Sequence, residues 1–208
     1  MTPDYSVYLV TDRQLLNGKM LPETVEQAIL GGVGVVQLRE KNSSSAEFYQ
    51  LAQELHMLTR RYHVPLIIND RADIALAIDA DGVHIGQEDL PADKVRALLG
   101  SDKILGVSVH CVAQAIKAQQ DGADYLGVGA VFATPTKSNA NVLSVSEIKR
   151  ILAAVNLPVV LIGGLNTQNI GQFIDLKIAG IAVVSAIIGH DNPQSAAREI
   201  KQILSRKR

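Results

Sequence analysis

Short apolar runs recur along this chain with helix-patterned segments between them, and that alternation limits the fold to a few architectures. The runs are Tyr5 to Val10, Val33 to Leu38, Leu66 to Ile68, Gly82 to Gly86, Ile104 to Val109, Tyr125 to Phe132, Val159 to Ile162 and Ile181 to Ile187. They are rich in Val and Ile and carry glycines near their ends, as parallel strands buried on both faces do. The intervening segments carry helix signals. Ser44-Ser45-Ala46-Glu47 reads as a capping box opening an amphipathic helix to Tyr62, and Ser144-Val145-Ser146-Glu147 as another opening a helix to Ala154. Pro22, Pro91 and Pro193 stand where first helical turns begin, and a last helix spans about Gln194 to Lys207. Eight strands alternating with helices predict an α/β chain, a single (β/α)8 TIM-type barrel over residues 1–208. With 208 residues the chain is at the lower end for that fold. An open doubly wound sheet is the alternative. The Rossmann form of it wants Gly-x-Gly-x-x-Gly after the first strand, and Leu9-Val10-Thr11-Asp12-Arg13 has nothing like it.

Charge and cysteine usage narrow the function classes. The net charge is −1 with no long run of one sign, which argues against a general nucleic-acid surface. The first apolar run is too short for a signal peptide or a membrane span. The single cysteine, Cys111, leaves no internal disulfide and fits a reducing cytosol. The expectation is a cytoplasmic protein acting on small molecules, with no nucleic-acid or membrane partner; a homo-oligomer is left open.

In a barrel the C-terminal ends of all strands meet on one face, and that face hosts the chemistry. The second run ends Gln37-Leu38-Arg39-Glu40-Lys41. Strand alternation places Gln37, Arg39 and Lys41 on one face, a cationic site for a polyanion. The third run ends Asn69-Asp70-Arg71 and the fourth continues through Gly86-Gln87-Glu88-Asp89. Asp70 and Asp89 are suited to share a Mg²⁺, which takes a few carboxylates and fills its shell with water and phosphate oxygens. Each is equally suited to cap the helix that follows it. The fifth run offers Ser108 as a phosphate donor, with His110 and Cys111 beginning the next helix. No partner for a Cys-His nucleophile is evident.

The longest polar loop, Thr134-Pro135-Thr136-Lys137-Ser138-Asn139-Ala140-Asn141, follows the sixth run. Long loops in compact domains are usually functional. The seventh run ends in Gly163-Gly164 and the eighth carries Ser185, in the slots where barrels bind phosphate. The expected site holds a metal-bound polyanion near Arg39, Lys41, Asp70, Asp89 and Lys137, and a monophosphate near Gly164 and Ser185. No Ser-His-Asp set, glycosidase carboxylate pair or zinc spacing competes.

These stretches, in this order, resemble the thiamine phosphate synthase family, and the resemblance covers nearly the whole chain. It rests on Val36 to Lys41, Ile68 to Arg71, Gly82 to Leu90, Gly106 to Ser108, Thr134 to Lys137, Ile162 to Gly164 and Val184-Ser185. The family implies a Mg²⁺-dependent condensation of hydroxymethylpyrimidine pyrophosphate with a thiazole phosphate. By resemblance, Gln37, Arg39, Asn69 and Lys137 hold the pyrimidine substrate and its pyrophosphate, and Lys41 and Ser108 add pyrophosphate contacts. Arg39, Lys41, Ser108 and Lys137 would be the catalytic set. Asp70 and Asp89 ligate Mg²⁺, and Thr134, Thr136, Gly164 and Ser185 surround the thiazole phosphate. The chain departs from the family pattern at Ala130 and Ala133, where prolines are expected, and in a less basic loop after Lys137. Two rivals remain: a thiazole tautomerase of the same fold, with His110 as its acid–base residue, and a non-catalytic sensor of the same phosphates.

Overall fold

The computed structural model describes residues 3–133 and 142–206. The strands are β1 (Val7–Val10), β2 (Val35–Leu38), β3 (Leu66–Asn69), β4 (Gly82–Ile85), β5 (Ile104–Val109), β6 (Tyr125–Val128), β7 (Val159–Ile162) and β8 (Gly180–Val183). They pair in parallel in chain order, and β8 closes onto β1 through Tyr8 opposite Ala182. The helices are α1 (Leu21–Leu30), α2 (Ser45–Arg61), α3 (Ala72–Ala77), α4 (Ala92–Leu99), α5 (Val112–Gln120), α6 (Val145–Ala154), α7 (Ser185–Ile188) and α8 (Pro193–Ser205). Closure is the physical solution for strands apolar on both faces, because it leaves no edge and covers the outer face with helices.

The period of two divides the strand residues between two cores. Tyr8, Val10, Val35, Ile67, Tyr125, Val160 and Ala182 fill the barrel interior. Val7, Leu9, Val36, Leu38, Leu66 and Ile68 point outward into the larger layer beneath the helices. Each fully buried aliphatic side chain in that layer contributes about 1.5–3 kcal/mol. Helix α2 shows how the layer is covered. Its buried Phe48, Ala52, Leu55 and Thr59 recur at helical spacing. The Ser44 capping box forms in full, and loss of such a cap costs about 1 kcal/mol. At α6 only half of the expected box forms. The Ser144 hydroxyl accepts from the Glu147 N–H at 3.2 Å, while the Glu147 carboxylate turns to Arg150 at 2.7 Å.

Strands β6 and β8 stop furthest short of the ends of their apolar runs. β6 stops at Val128, the last residue paired with β7. Beyond it Val131 and Phe132 donate to Ile162 and Gly163 outside any ladder. β8 stops at Val183, where its pairing with β1 ends, and the expected strand residues 185–187 are helical. With no ladder left, the N–H groups of Ile187 and Ile188 bond to the Val184 carbonyl and bury both side chains. No helix among the described residues is long and apolar enough to cross a membrane.

Candidate active site at the strand ends

Gln37 lies in the barrel mouth on the inward face of β2 and is buried. Its Nε2 donates to the Tyr8 hydroxyl at 2.8 Å. β2 ends at Leu38, so strand pleating orients Gln37 but not Arg39 or Lys41. Contacts orient those two instead. The Arg39 N–H donates to Thr11 Oγ1 at 3.0 Å, and its guanidinium stands 3.9 Å from the Asp12 carboxylate. The Lys41 ammonium reaches across to the Asp70 carboxylate.

Asp70 follows β3 directly, with a left-handed backbone at φ +63°. That conformation costs a non-glycine residue about 1–3 kcal/mol. It is held by the Asp70 N–H, which donates to the His84 carbonyl of β4 at 2.8 Å. One β4 residue therefore ties Asp70 to the strand whose following loop carries Asp89. The Asp89 Oδ2 accepts the Gly86 N–H at 2.7 Å. Burial, and then the adjoining Asp70 carboxyl, push the Asp89 carboxyl above the usual carboxylate range, against the pull of the Gly86 N–H and Lys41. Neither aspartate caps a helix. Arg71 precedes α3 and Pro91 precedes α4, both without a side-chain cap. The helix-cap alternative therefore fails for both.

Two adjoining carboxylates, one of them partly buried, suit a small dication that would relieve their repulsion. Among the described residues no group of three or more His, Cys, Asp and Glu gathers to complete a protein-only shell. The set therefore fits Mg²⁺, which keeps water and phosphate oxygens, and not a structural zinc.

The barrel interior below this mouth contains a polar chain that strand-end reasoning missed. The Tyr8 and Tyr125 hydroxyls are 2.7 Å apart. Tyr125 is 2.8 Å from His84 Nδ1, and His84 Nε2 is 2.8 Å from Ser108 Oγ. Gln37 and Ser108, both anticipated from sequence, are thus the two ends of one buried network. Burial pushes the His84 imidazole down to about 4, so it is neutral at ordinary pH. Gly106 makes room for the chain, because a Cβ there would lie 2.2 Å from Tyr125 Cζ. The signal was present in the sequence. The alternation that turns Gln37 inward on β2 also turns Tyr8, His84 and Tyr125 inward on their strands.

Asn69 ends β3 half-buried, in register with His84. At the other side of the mouth, Gly163 and Gly164 follow β7 at φ +106° and +62°, a conformation that favours glycine. The Gly164 carbonyl accepts from Asn169 Nδ2 at 2.9 Å. Ser185 is not a strand residue; it is exposed and opens the short α7 that follows the adjacent strand. His110 precedes α5, and its Nδ1 lies 2.5 Å from the Gly129 carbonyl. Cys111 is the residue before α5 and makes no side-chain cap. Thr134, Thr136 and Lys137 lie outside the described residues.

Residues 7–187 match the family model described as thiamine monophosphate synthase. The chain is 53% identical over 199 residues to the curated thiamine-phosphate synthase of Clostridium botulinum strain Eklund 17B, covering 96% of this chain and 93% of the relative. It is 54% identical over 204 residues to that of Ruminiclostridium cellulolyticum, covering 98% and 97%. The solved thiamine phosphate pyrophosphorylase from Pyrococcus furiosus superposes with a TM-score of 0.90 at 37% identity, covering 98% of this chain and 96% of that one. Sequence, family model and fold agree over almost the full length: the chain belongs to the thiamine monophosphate synthase family.

Proposed function

We propose that this enzyme condenses hydroxymethylpyrimidine pyrophosphate with hydroxyethylthiazole phosphate, giving thiamine phosphate and pyrophosphate. The observation that carries this reading is the Asp70–Asp89 carboxylate pair with Lys41 beside it, at the C-terminal mouth of a barrel about half identical to curated thiamine-phosphate synthases. The C–O bond between the pyrimidine CH₂ and pyrophosphate breaks, and its electron pair leaves with the pyrophosphate. The aminopyrimidine ring donates electrons to the CH₂ cation, and the thiazole nitrogen lone pair then forms the new C–N bond. No protein nucleophile is needed.

The protein's part is alignment and charge neutralisation. Arg39, Lys41 and Lys137 neutralise the departing pyrophosphate, and Ser108 donates to it. Gln37 and Asn69 hold the pyrimidine. Thr134, Thr136, Gly164 and Ser185 hold the thiazole phosphate. Asp70 and Asp89 hold Mg²⁺, which when bound supplies further positive charge to the leaving group. The enzyme works in the cytoplasm on small molecules, with no nucleic acid involved.

A thiazole tautomerase would rely on His110 and have no use for Asp89. The adjoining Asp70 and Asp89 carboxylates, for which a tautomerase has no use, favour the synthase. The test is thiamine phosphate formation from the two substrates with and without Mg²⁺. Metal-dependent product is expected. No product from folded protein that still binds thiazole phosphate would overturn the reading in favour of the tautomerase or a sensor.

A further inference from the structure

Five side chains from five strands form one unbranched chain of hydrogen bonds inside the barrel: Gln37 on β2, Tyr8 on β1, Tyr125 on β6, His84 on β4 and Ser108 on β5. Each inner hydroxyl has one proton, and a neutral imidazole has one N–H, so the whole chain runs in one direction or the other. Gln37 Nε2 carries only donors and faces Tyr8. Among the described residues the Tyr8 hydroxyl has no acceptor for its proton other than Tyr125, so it donates there, and Tyr125 in turn donates to His84 Nδ1. That makes Nδ1 the acceptor and places the ring proton on Nε2, which donates to Ser108 Oγ. The Ser108 proton is left over at the end of the chain, and Gln37 Oε1 is left over at the beginning.

The opposite direction would turn Gln37 Oε1 toward Tyr8 and use the Ser108 proton on His84. Ser108 would then face the mouth with lone pairs only, which repel an anion. Only the first direction gives an anionic group a hydroxyl donor.

We propose that Tyr125 and Tyr8 are positioning residues: through His84 they force Ser108 to be a donor toward the substrate pyrophosphate and Gln37 to present its carbonyl oxygen as an acceptor toward the pyrimidine. The part played by substrate rests on the proposed function; the proton order in the free protein does not. The two tyrosines are fully buried and act through Gln37 and His84. They act because closure of the barrel brings β1 against the inward side chain of β6.

The test has two readouts. In free protein labelled with ¹⁵N-histidine, His84 is expected as the Nε2–H tautomer, with an acceptor-type Nδ1 resonance. In Tyr125→Phe that Nδ1 loses its donor and its resonance should move toward that of a nitrogen without a hydrogen bond. In steady-state kinetics Tyr125→Phe is expected to lower kcat/KM for the pyrimidine substrate by about tenfold to hundredfold, the worth of a hydrogen bond to a charged group. The KM for thiazole phosphate should stay within about twofold. Tyr8→Phe, which cuts the chain one link earlier, should lower the same parameter with a smaller effect on the His84 spectrum. An Nδ1–H tautomer in the wild type overturns the proposal whatever the protein catalyses. So do unchanged kinetics in both variants. Absence of product from the wild type would sink the proposed function and leave the tautomer result to judge the chain alone.

Discussion

The Lys41 ammonium and the Asp70 carboxylate are paired across the tops of β2 and β3. Lys41 is about half exposed there, so the pair contributes only about 0.2–1 kcal/mol. In the free protein this cation occupies the carboxylate that a dication would take. Lys41→Met is therefore expected to raise the affinity of the free protein for Mn²⁺, used as a paramagnetic stand-in for Mg²⁺, by a few-fold. Turnover should fall about a hundredfold, because the departing pyrophosphate loses a neutralising group. A titration followed by electron paramagnetic resonance checks the first part. Weaker metal binding in this variant would show that Lys41 helps to build the metal site rather than competing for it.

Asp70 and Asp89 invite the complementary change. Asn keeps the size of the side chain and an oxygen able to accept the Gly86 N–H, so Asp89→Asn should fold normally. Both Asp70→Asn and Asp89→Asn are expected to shift the Mg²⁺ activation curve to higher concentration. Each should cost about 3 kcal/mol, near a hundredfold, in turnover at fixed Mg²⁺. Superimposable activation curves for wild type and both variants would rule out a shared metal.

Much of this arrangement was legible in the chain before folding, and the reasons differ by residue. Strand number, order and closure follow from Val- and Ile-rich runs separated by capped helices, because both signals are local. Asp70 and Asp89 were legible as a carboxylate pair on the loops after β3 and β4, and the helix-cap use open to each in the sequence is not taken up by the fold. Ser185 was misplaced because Val183 to Ile188 is strand-like by propensity. What ends the strand is the end of its neighbours' ladders, which no local pattern records. The interior chain was missed for a related reason. Tyr8 and Tyr125 are 117 residues apart, and each alone reads as an ordinary buried aromatic. Only closure of the barrel brings their hydroxyls together.

Gly106 tests how tightly that interior is packed. A methyl group there would meet the Tyr125 side chain at 2.2–2.4 Å, and that side chain is fully buried. Overpacking of this kind costs about 1–3 kcal/mol. For a chain of this length, Gly106→Ala should lower Tm by roughly 3–10 °C. Displacing the ring also separates its hydroxyl from His84, so kcat/KM should fall along with Tm. A thermal melt and an activity assay on the same preparation decide it. An unchanged melting curve would mean that the barrel interior yields where the packing says it does not.

His84 makes a prediction about pH, and its sign follows from burial. Its pKa is lowered from 6.5 to about 4 in the folded protein, first by desolvation, with Asp70 opposing. Below pH 6.5 the unfolded chain takes up a proton at this residue before the folded chain does. Stability from the neutral buried ring is therefore complete above about pH 6.5, and it is lost as the pH falls toward 4. The full loss is about 3 kcal/mol, of which about 2 kcal/mol falls between pH 7.5 and pH 5. Carboxylates also contribute over this range, so the quantity to measure is a difference. His84→Gln offers the same neighbours an amide that does not titrate. Urea unfolding of wild type and His84→Gln at both pH values should show the wild type losing about 2 kcal/mol more than the variant. Parallel losses in the two proteins would mean that the folded barrel accepts a charged His84, and that its interior is wetter than the closed hydrogen-bond chain implies.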